Sequence, residues 1–367
     1  MLKKLKKIAK DLLAVPAIRR TYVMTNRAVL EVFASNRVLA TLYSIPGLVT
    51  FNREQFAVLR ARRNYYRNFQ KERVSHVGLR RNIHRLEKGI IMQPRRPIFA
   101  TDYVGETVEF YKIAITQCSV DSASIDSSEI EWAHDVLIKY FATVEKGNSK
   151  VDEARKLFKE CESVYSPAKG SVSKSPYIKS DAAKSDISYE DLLKLSLQRR
   201  SVRWFQKKKV PRELIDKALM IGRQAPTACN RLPYEYRVFD DPVMVKKVAG
   251  LPFGAGGYSH QIPTIIVVVG KLESYFSPRD RHAIYIDSSL ATMSFLFALE
   301  TLGLSSSVIN WPDFEPLERK MQKTLGLDTS ERVVMLVAVG YADPKGGIPF
   351  SQKKSLDVLR TYNRLAE

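Results

Sequence analysis

The sequence has 367 residues and a formal net charge of +20, from 59 Lys and Arg against 39 Asp and Glu. Hydrophobic residues make up 45% of it and charged residues 27%, a composition that is typical of globular proteins and excludes wholesale disorder. Residues 1–100 hold 22 Lys and Arg against 5 Asp and Glu, so nearly all of the excess charge lies in this first part. We therefore expect a basic amino-terminal region followed by a more neutral globular domain.

The first thirteen residues combine apolar side chains at helical spacing with five lysines on the remaining face. This pattern predicts a basic amphipathic helix that binds an anionic membrane surface, where each Lys or Arg contributes about 1 kcal/mol. A helix that packs on the protein and exposes its charged face to water is the alternative interpretation. The longest uncharged run of the basic region, Val38–Asn52, is too short for an ordinary transmembrane helix.

A second basic stretch, Arg60–Arg67, combines four arginines with two adjacent tyrosines. Such a stretch could bind a polyanion. Because no recognisable nucleic-acid-binding module accompanies it, we do not expect specific nucleic acid binding.

Residues 1–165 are predicted to be mainly helical, for example over Glu129–Val144 and Val151–Val164. Residues 166–187 are rich in Ser, Lys, Ala and Pro, a composition typical of a linker. Residues 188–367 are predicted to form a separate compact domain.

The hydrophobic pattern of this domain alternates between helix and strand. Helices are predicted over Ser188–Leu197, Pro211–Gln224 and Ala283–Leu302. Strands are predicted over Tyr234–Phe239, Pro263–Gly270, Ser305–Asn310 and Arg332–Gly340. We therefore expect an α+β fold in which helices cover one sheet.

The three cysteines, Cys118, Cys161 and Cys229, lie far apart and form no CxxC pair or Cys/His metal spacing. This argues against structural zinc and against a disulfide scaffold, and we expect no metal site. It also favours a reducing compartment, so we expect a cytoplasmic protein.

Arginine is concentrated at the end of the first helix of the domain. The run Arg199-Arg200-Ser201-Val202-Arg203 places three guanidinium groups and one hydroxyl within one short segment. Guanidinium groups bind phosphate with paired, charge-assisted hydrogen bonds, so this run is a candidate phosphate site. A basic turn that only faces solvent is the other interpretation.

A loop of small polar side chains follows over Ala225–Tyr234. Two prolines stiffen it, the first of them Pro226, and the short side chains of Thr227 and Asn230 would let the loop approach a flat ring closely. Cys229 has no His or second Cys nearby in the sequence, so we interpret it as a loop thiol and not as a redox nucleophile.

Two further segments carry polar or basic residues at their ends. Gly303–Trp311 follows the long apolar helix and ends on Asn310 and Trp311. The carboxyl-terminal segment carries the basic pair Lys353 and Lys354, and the sequence does not decide which of the two would contact an anion.

In this order and spacing, these segments resemble the FMN-dependent nitroreductase family over about residues 190–360. The resemblance implies a mixed sheet flanked by helices and bound FMN. It also implies ping-pong electron transfer, in which NAD(P)H reduces the flavin at N5 and a small-molecule acceptor then takes the electrons at the same face. Catalytic acid–base residues remain unassigned, because solvent could supply the protons.

The resemblance also implies roles for individual residues. The arginine run and the two lysines match positions that contact the FMN phosphate and ribityl chain, and the loop matches positions beside the flavin. A backbone N–H after the strand of Gly303–Trp311 would face flavin N5 and stabilise negative charge there. The cofactor-binding residues implied in this way are Arg199, Arg200, Ser201, Arg203, Pro226, Thr227, Asn230, Asn310, Trp311, Lys353 and Lys354.

Two positions depart from the family pattern. Leu232 stands where Gln is usual, and Trp311 is bulkier than the Gly often found nearby, which would narrow the substrate side. These departures keep an alternative open, in which the chain is a non-catalytic binding or scaffold protein at a membrane surface or polysaccharide-synthesis complex.

The resemblance also bears on assembly and cellular context. It implies a homodimer with the flavin site at the subunit interface and Phe350–Glu367 as an arm onto the partner subunit. Gly78–Gly89 resembles a segment that precedes nitroreductase-like domains in bacterial proteins associated with polysaccharide biosynthesis. We therefore expect a cytoplasmic protein that the basic helix could hold at the inner face of the membrane.

Overall fold

The computed structural model describes residues 15–44, 48–70, 76–120, 126–165 and 173–365. The predicted amphipathic helix of the first thirteen residues lies outside them. The chain divides into two compact units, one of residues 1–56 with 313–315 and the other of residues 57–312 with 316–367. The division predicted at residues 166–187 stays a prediction, and the second unit also includes residues 57–165.

The first unit contains helices α1 (Pro16–Phe33) and α2 (Arg37–Ser44) and the start of α3 (Leu48–Gln70). Proline at the first position of α1 suits a helix start, because its fixed φ is helical and the missing N–H would be unpaired there. Large apolar side chains of α1 and α2 are exposed, among them Met24 at 72% and Val38 at 70%.

The second unit begins with the rest of α3 and a cluster of four helices. These are α4 (His76–Ile90), α5 (Val104–Val120), α6 (Ser127–Thr143) and α7 (Ser149–Glu162). Their shared core is built from residues at helical spacing, including Leu79, Ile83, Tyr111, Leu137 and Phe158. The helices predicted over Glu129–Val144 and Val151–Val164 correspond to α6 and α7.

The sheet of the second unit has four strands in the order β1-β2-β4-β3. The strands are β1 (Tyr234–Phe239), β2 (Thr264–Lys271), β3 (Ser305–Asn310) and β4 (Glu331–Gly340). All three neighbouring pairs are antiparallel, so the predicted mixed character is limited to an isolated parallel bridge between Ser201 and Ser306.

Helices cover both faces of this sheet, as the sequence predicted. They are α9 (Arg212–Gly222), α10 (Pro242–Ala249), α11 (Ala283–Thr301) and α12 (Glu315–Leu325). The preceding helix α8 (Tyr189–Gln198) packs on α11, and the short α13 (Leu356–Leu359) follows the sheet. Ile266 and Val268 of β2 pack on α9 and α11 through residues such as Ile215 and Phe295. The alternate residues of β2 pack on α10 and α12, because successive side chains of a strand face opposite sides.

Helix α11 is apolar nearly all round. Among the described residues, Pro278–Thr301 is the one helical segment long and apolar enough to span a membrane by length and composition. Half of its apolar window is buried inside the protein, where Phe295 and Leu299 are fully covered. This burial is typical of the core helix of a globular domain, as the apolar pattern predicted.

From residue 57 onward, helix α3 contacts loops next to the sheet of the second unit through polar side chains. Nη2 of Arg60 lies 2.7 Å from Oδ2 of Asp328, and Nε of Arg62 donates to the carbonyl oxygen of Phe276 over 3.1 Å. Nδ2 of Asn64 donates to Oε2 of Glu273 over 3.2 Å. Residues 57–70 of the basic region are therefore part of the packed second unit.

Candidate functional site

The arginine run begins where α8 ends, at its C-cap Arg199. The N–H of Val202 donates to the carbonyl of Ser306 in β3 over 2.9 Å, and the N–H of Gln206 donates to the carbonyl of Tyr341 over 2.8 Å. Because β3 and β4 are neighbouring strands, these two bonds fix the run across one end of the sheet.

Among the described residues, two guanidinium groups of this run donate hydrogen bonds only within the run, and the central carbon of Arg203 also lies 6.0 Å from the centre of the Tyr258 ring. Nη1 of Arg200 donates to the carbonyl of Arg199 over 3.3 Å, and Nη1 of Arg203 donates to that of Ser201 over 3.5 Å. Both side chains are partly buried, and neither pairs with a carboxylate anywhere in the described ranges. A phosphate group would supply the missing counter-charge.

Arg199 has a different environment, because it lies near the carboxylate of Glu300. Glu300 is buried, and Nε2 of Gln198 donates to its Oε2 over 3.4 Å. Burial raises the pKa of Glu300, and the positive charge of Arg199 opposes part of that shift. The charge of Arg199 is thus partly balanced from within the protein.

The loop 225–234 has a constrained backbone. A short 3-10 turn over Ala228–Asn230 is followed by a tight bend, and Cys229, Asn230 and Leu232 have φ values of 55°, 52° and 47°. For residues other than glycine, this left-handed conformation costs roughly 1–2 kcal/mol each. Other contacts must therefore hold the loop in this shape.

One such contact comes from Asp287 in α11. Its Oδ2 accepts from the N–H of Ala228 over 3.0 Å and from the hydroxyl of Tyr275 over 2.9 Å. Burial raises the pKa of Asp287, and these two hydrogen bonds oppose the shift. Inside the loop, Oγ1 of Thr227 accepts from the N–H of Leu232 over 3.2 Å.

Two arginines make further contacts at this loop, namely Arg80 of helix α4 and Arg231, which directly follows the 3-10 turn. Nε of Arg80 donates to the carbonyl oxygen of Asn230 over 2.8 Å. Arg231 is 5% exposed, and its guanidinium carbon lies 4.7 Å from the centre of the Tyr275 ring. Arg80 lies in the segment Gly78–Gly89, but no sequence pattern predicted that Arg80, Asp287 or Tyr275 would support this loop.

At the end of β3 the two candidates differ in exposure. Asn310 is exposed, whereas Trp311 is only 6% exposed, and its Nε1 donates to Oε1 of Glu318 over 2.7 Å. The indole packs in the core beside Leu317 and Met321. This corrects the expectation that Trp311 narrows the substrate side, because its bulk fills the core.

Lys353 and Lys354 are exposed in the segment that precedes α13. Among the described residues, neither forms an ion pair, and no hydrogen bond joins them to Arg199–Arg203. The role of this lysine pair at the phosphate therefore stays a prediction. Within the described ranges, no group of three or more His, Cys, Asp and Glu side chains is arranged to hold a metal ion.

A family model described as the nitroreductase family matches residues 197–256 and 252–341. A protein of Archaeoglobus fulgidus named as an NADH dehydrogenase/NAD(P)H nitroreductase is 30% identical over 156 residues, which cover 41% of this chain and 86% of that protein. This chain belongs to the nitroreductase family. The resemblance seen in the sequence and the α+β fold class are therefore confirmed.

Two other proteins are similar to part of this chain. The NADH dehydrogenase of Thermus thermophilus is 25% identical over 182 residues, covering 41% of this chain and 86% of its own length. The solved structure of an FMN-dependent nitroreductase from Clostridium difficile is 20% identical and covers 47% of this chain and 99% of its own, with a TM-score of 0.41.

Proposed function

We propose that this nitroreductase-family protein is an FMN-dependent oxidoreductase that passes electrons from NAD(P)H to a small-molecule acceptor in a ping-pong cycle. The observation that supports it best is the arginine run at the end of α8. There, the guanidinium groups of Arg200 and Arg203 are partly buried and have no carboxylate partner among the described residues. A phosphate binds to such groups with short, charge-assisted hydrogen bonds.

The residues present also fit the rest of FMN. Asn230 and Thr227 are partly buried in the constrained loop, and the side-chain amide of Asn230 bonds to no other described residue. An amide and a hydroxyl suit the polar edge of a flavin ring or its ribityl chain. Ser201 would join the arginines at the phosphate, and Pro226 would border the ring.

FMN, when bound, supplies the redox chemistry, with NAD(P)H as electron donor. The residues of this chain bind and orient it. Arg199, Arg200 and Arg203 would neutralise the phosphate, and the loop would hold the ring. A backbone N–H at Asn310 or Trp311 would stabilise negative charge on the reduced ring. Lys353 or Lys354 would add a further positive charge at the phosphate.

We also propose a homodimer with the site at the subunit interface. Ile286, Leu290 and Met293 recur at spacings of four and three along α11 and are 59%, 45% and 37% exposed. The carboxyl-terminal segment adds exposed apolar residues such as Phe350. Surfaces of this kind are typical of protein interfaces.

For the cellular setting we propose a cytoplasmic protein that binds the inner face of an anionic membrane through its basic amino-terminal residues. The exposed apolar side chains of α1 and α2, with Met24 and Val38 among them, support this proposal. A role beside polysaccharide-synthesis enzymes fits the Gly78–Gly89 segment. Flotation with anionic vesicles tests the membrane proposal, and equal binding with and without residues 1–20 would remove the basic helix as the anchor.

The deciding experiment for the function is anaerobic titration of the purified, FMN-reconstituted protein with NADH and with NADPH. We expect a yellow protein whose flavin absorbance is bleached by at least one of them and restored by an electron acceptor. A protein that cannot be reconstituted with FMN would contradict the proposal. FMN binding without bleaching by either nucleotide would support the alternative, a non-catalytic binding or scaffold protein.

A further inference from the structure

The loop 225–234 is held by a residue of helix α4, which precedes the sheet and its covering helices in the sequence. Helix α4, part of the basic amino-terminal region, lies against the turn Ala228–Asn230. From this helix, Nε of Arg80 donates to the carbonyl oxygen of Asn230 over 2.8 Å, although 150 residues separate the two in the sequence. The amino-terminal helices therefore contact the proposed flavin-side loop directly.

The guanidinium group of Arg80 is itself held in place by helix α6. Its Nη1 forms an ion pair with Oε1 of Glu129, and its central carbon lies 5.3 Å from the centre of the Trp132 ring. Nε1 of Trp132 donates to Oε1 of Glu87 over 2.9 Å, which fixes the ring in turn. The side chains of Arg80 and Glu129 are 13% and 20% exposed, so the donor is oriented before any ligand binds.

The acceptor of the Arg80 hydrogen bond, the carbonyl oxygen of Asn230, belongs to the strained part of the loop. Cys229 and Asn230 are both in the left-handed region, and Asp287 holds the loop at Ala228. The bond from Arg80 fixes the opposite end of the turn. Without it, Asp287 would be the one residue outside the loop, among those described, that hydrogen-bonds to the turn, and the left-handed residues could relax toward ordinary backbone conformations.

We propose that Arg80 is a positioning residue for the flavin-side loop. By fixing the carbonyl of Asn230, it keeps Thr227 and Asn230 in the conformation that binds FMN. Helices α4 and α6 then belong to the functional site, and the amino-terminal region does more than locate the enzyme. This inference rests on the proposed function for its ligand, but the contact and its effect on the loop can be measured without FMN.

Arg155 provides a matched control. Its guanidinium group also donates to backbone carbonyls, those of Phe141 and Val144, and its central carbon lies 5.2 Å from the Phe141 ring. It is 17% exposed, close to the 13% of Arg80. Because Arg155 supports the helical cluster and not the loop, Arg155→Ala should lower the melting temperature without changing the loop.

The experiment compares the full-length wild type with Arg80→Ala, Arg80→Lys and Arg155→Ala. In the FMN-free protein, the rate of Cys229 alkylation by iodoacetamide is followed by peptide mass spectrometry, with Cys118 as the internal reference. In parallel, the dissociation constant for FMN is measured by flavin fluorescence. In Arg80→Ala, Cys229 should be alkylated several times faster than in the wild type. FMN should bind about tenfold more weakly, because the loop loses a charge-assisted hydrogen bond that holds its binding conformation.

For Arg80→Lys, the alkylation rate of Cys229 and the FMN dissociation constant should lie between those of Arg80→Ala and the wild type. Lysine keeps the positive charge but lacks the forked geometry of the guanidinium group. If Arg80→Ala melts lower while Cys229 reactivity and FMN affinity equal those of Arg155→Ala, the inference is wrong. If Arg80→Ala does not fold, the same two readouts on Arg80→Lys decide. A wild type that fails to bind FMN would overturn the proposed function, while Cys229 reactivity would still report on Arg80.

Discussion

Gly340, the last residue of β4, lies directly against the ring of Phe205. A Cβ at position 340 would lie 2.8 Å from Cδ1 of Phe205 and 2.6 Å from Cγ of Pro263. Both neighbours are rings with little freedom to move, and Phe205 follows the arginine run by two residues. The absence of a side chain at Gly340 therefore allows Phe205 to pack against the end of β4, two residues after the arginine run.

Gly340→Ala should displace Phe205 and with it Arg203. We expect a loss of about 1–3 kcal/mol in the free energy of unfolding, as for other overpacked cores, and weaker FMN binding. Urea unfolding and flavin fluorescence measure the two effects. Gly347→Ala is the control, because a Cβ there would meet no atom within 4 Å. Equal FMN affinity in the two variants would contradict this account of Gly340.

Arg200 and Arg203 are expected to recognise the phosphate of FMN and not its ring. Arg200→Gln and Arg203→Gln should each weaken FMN binding roughly tenfold or more, as expected for a lost hydrogen bond between charged groups. Riboflavin, which lacks the phosphate, should bind the variants and the wild type equally. Arg223→Gln, at the exposed end of α9, is the control, and it should change the affinity for neither FMN nor riboflavin. A parallel loss of riboflavin binding would show that the arginines act through the fold.

The strands of the sheet domain were predictable because their signal is local. β1 and β3 have the predicted bounds, and β2 and β4 differ from prediction by one residue at one or both ends. Short apolar or alternating runs between turn residues define strands without knowledge of their partners. The arginine run and the polar loop were recognisable for the same reason.

The residues that hold the loop were not predictable in this way. Arg80 and Asp287 lie 150 and 59 residues from the loop positions they contact, and no sequence spacing marks such pairs. The sequence does contain one signal for Asp287, because it is the only charged residue in the apolar helix α11 before Glu300. The inward orientation of Trp311 was likewise decided by a tertiary partner, Glu318.

The ion pair between Arg60 and Asp328 should make stability depend on pH in the acid range. The hydrogen bonds from Arg60 hold the pKa of Asp328 well below its usual value. The pair therefore stabilises the fold fully above the ordinary Asp pKa, near 3.9, and its contribution is lost as the pH falls further toward the lowered value.

Asp328→Asn should thus have a lower melting temperature than the wild type, by a constant difference between about pH 5 and pH 8. This difference in melting temperature should become smaller as the pH falls below about 4. Thermal unfolding across this range measures the difference. Asp357→Asn is the control, because its carboxylate is 89% exposed and lies 3.4 Å from Arg360, so little change is expected. A margin that grows on acidification would contradict the assignment of the lowered pKa.

The exposed stripe of α11 should form the core of the proposed dimer interface. Ile286→Lys with Leu290→Lys places two charges where a partner subunit would bury apolar side chains, a strong penalty for association. We expect a dimeric wild type and a monomeric double variant in analytical ultracentrifugation.

Because the proposed flavin site lies at the subunit interface, the monomer should also bind FMN more weakly. Val243→Lys, on α10 at a position that is 76% exposed, should remain dimeric with unchanged FMN affinity. A monomeric wild type that binds FMN tightly would show that one chain completes the site.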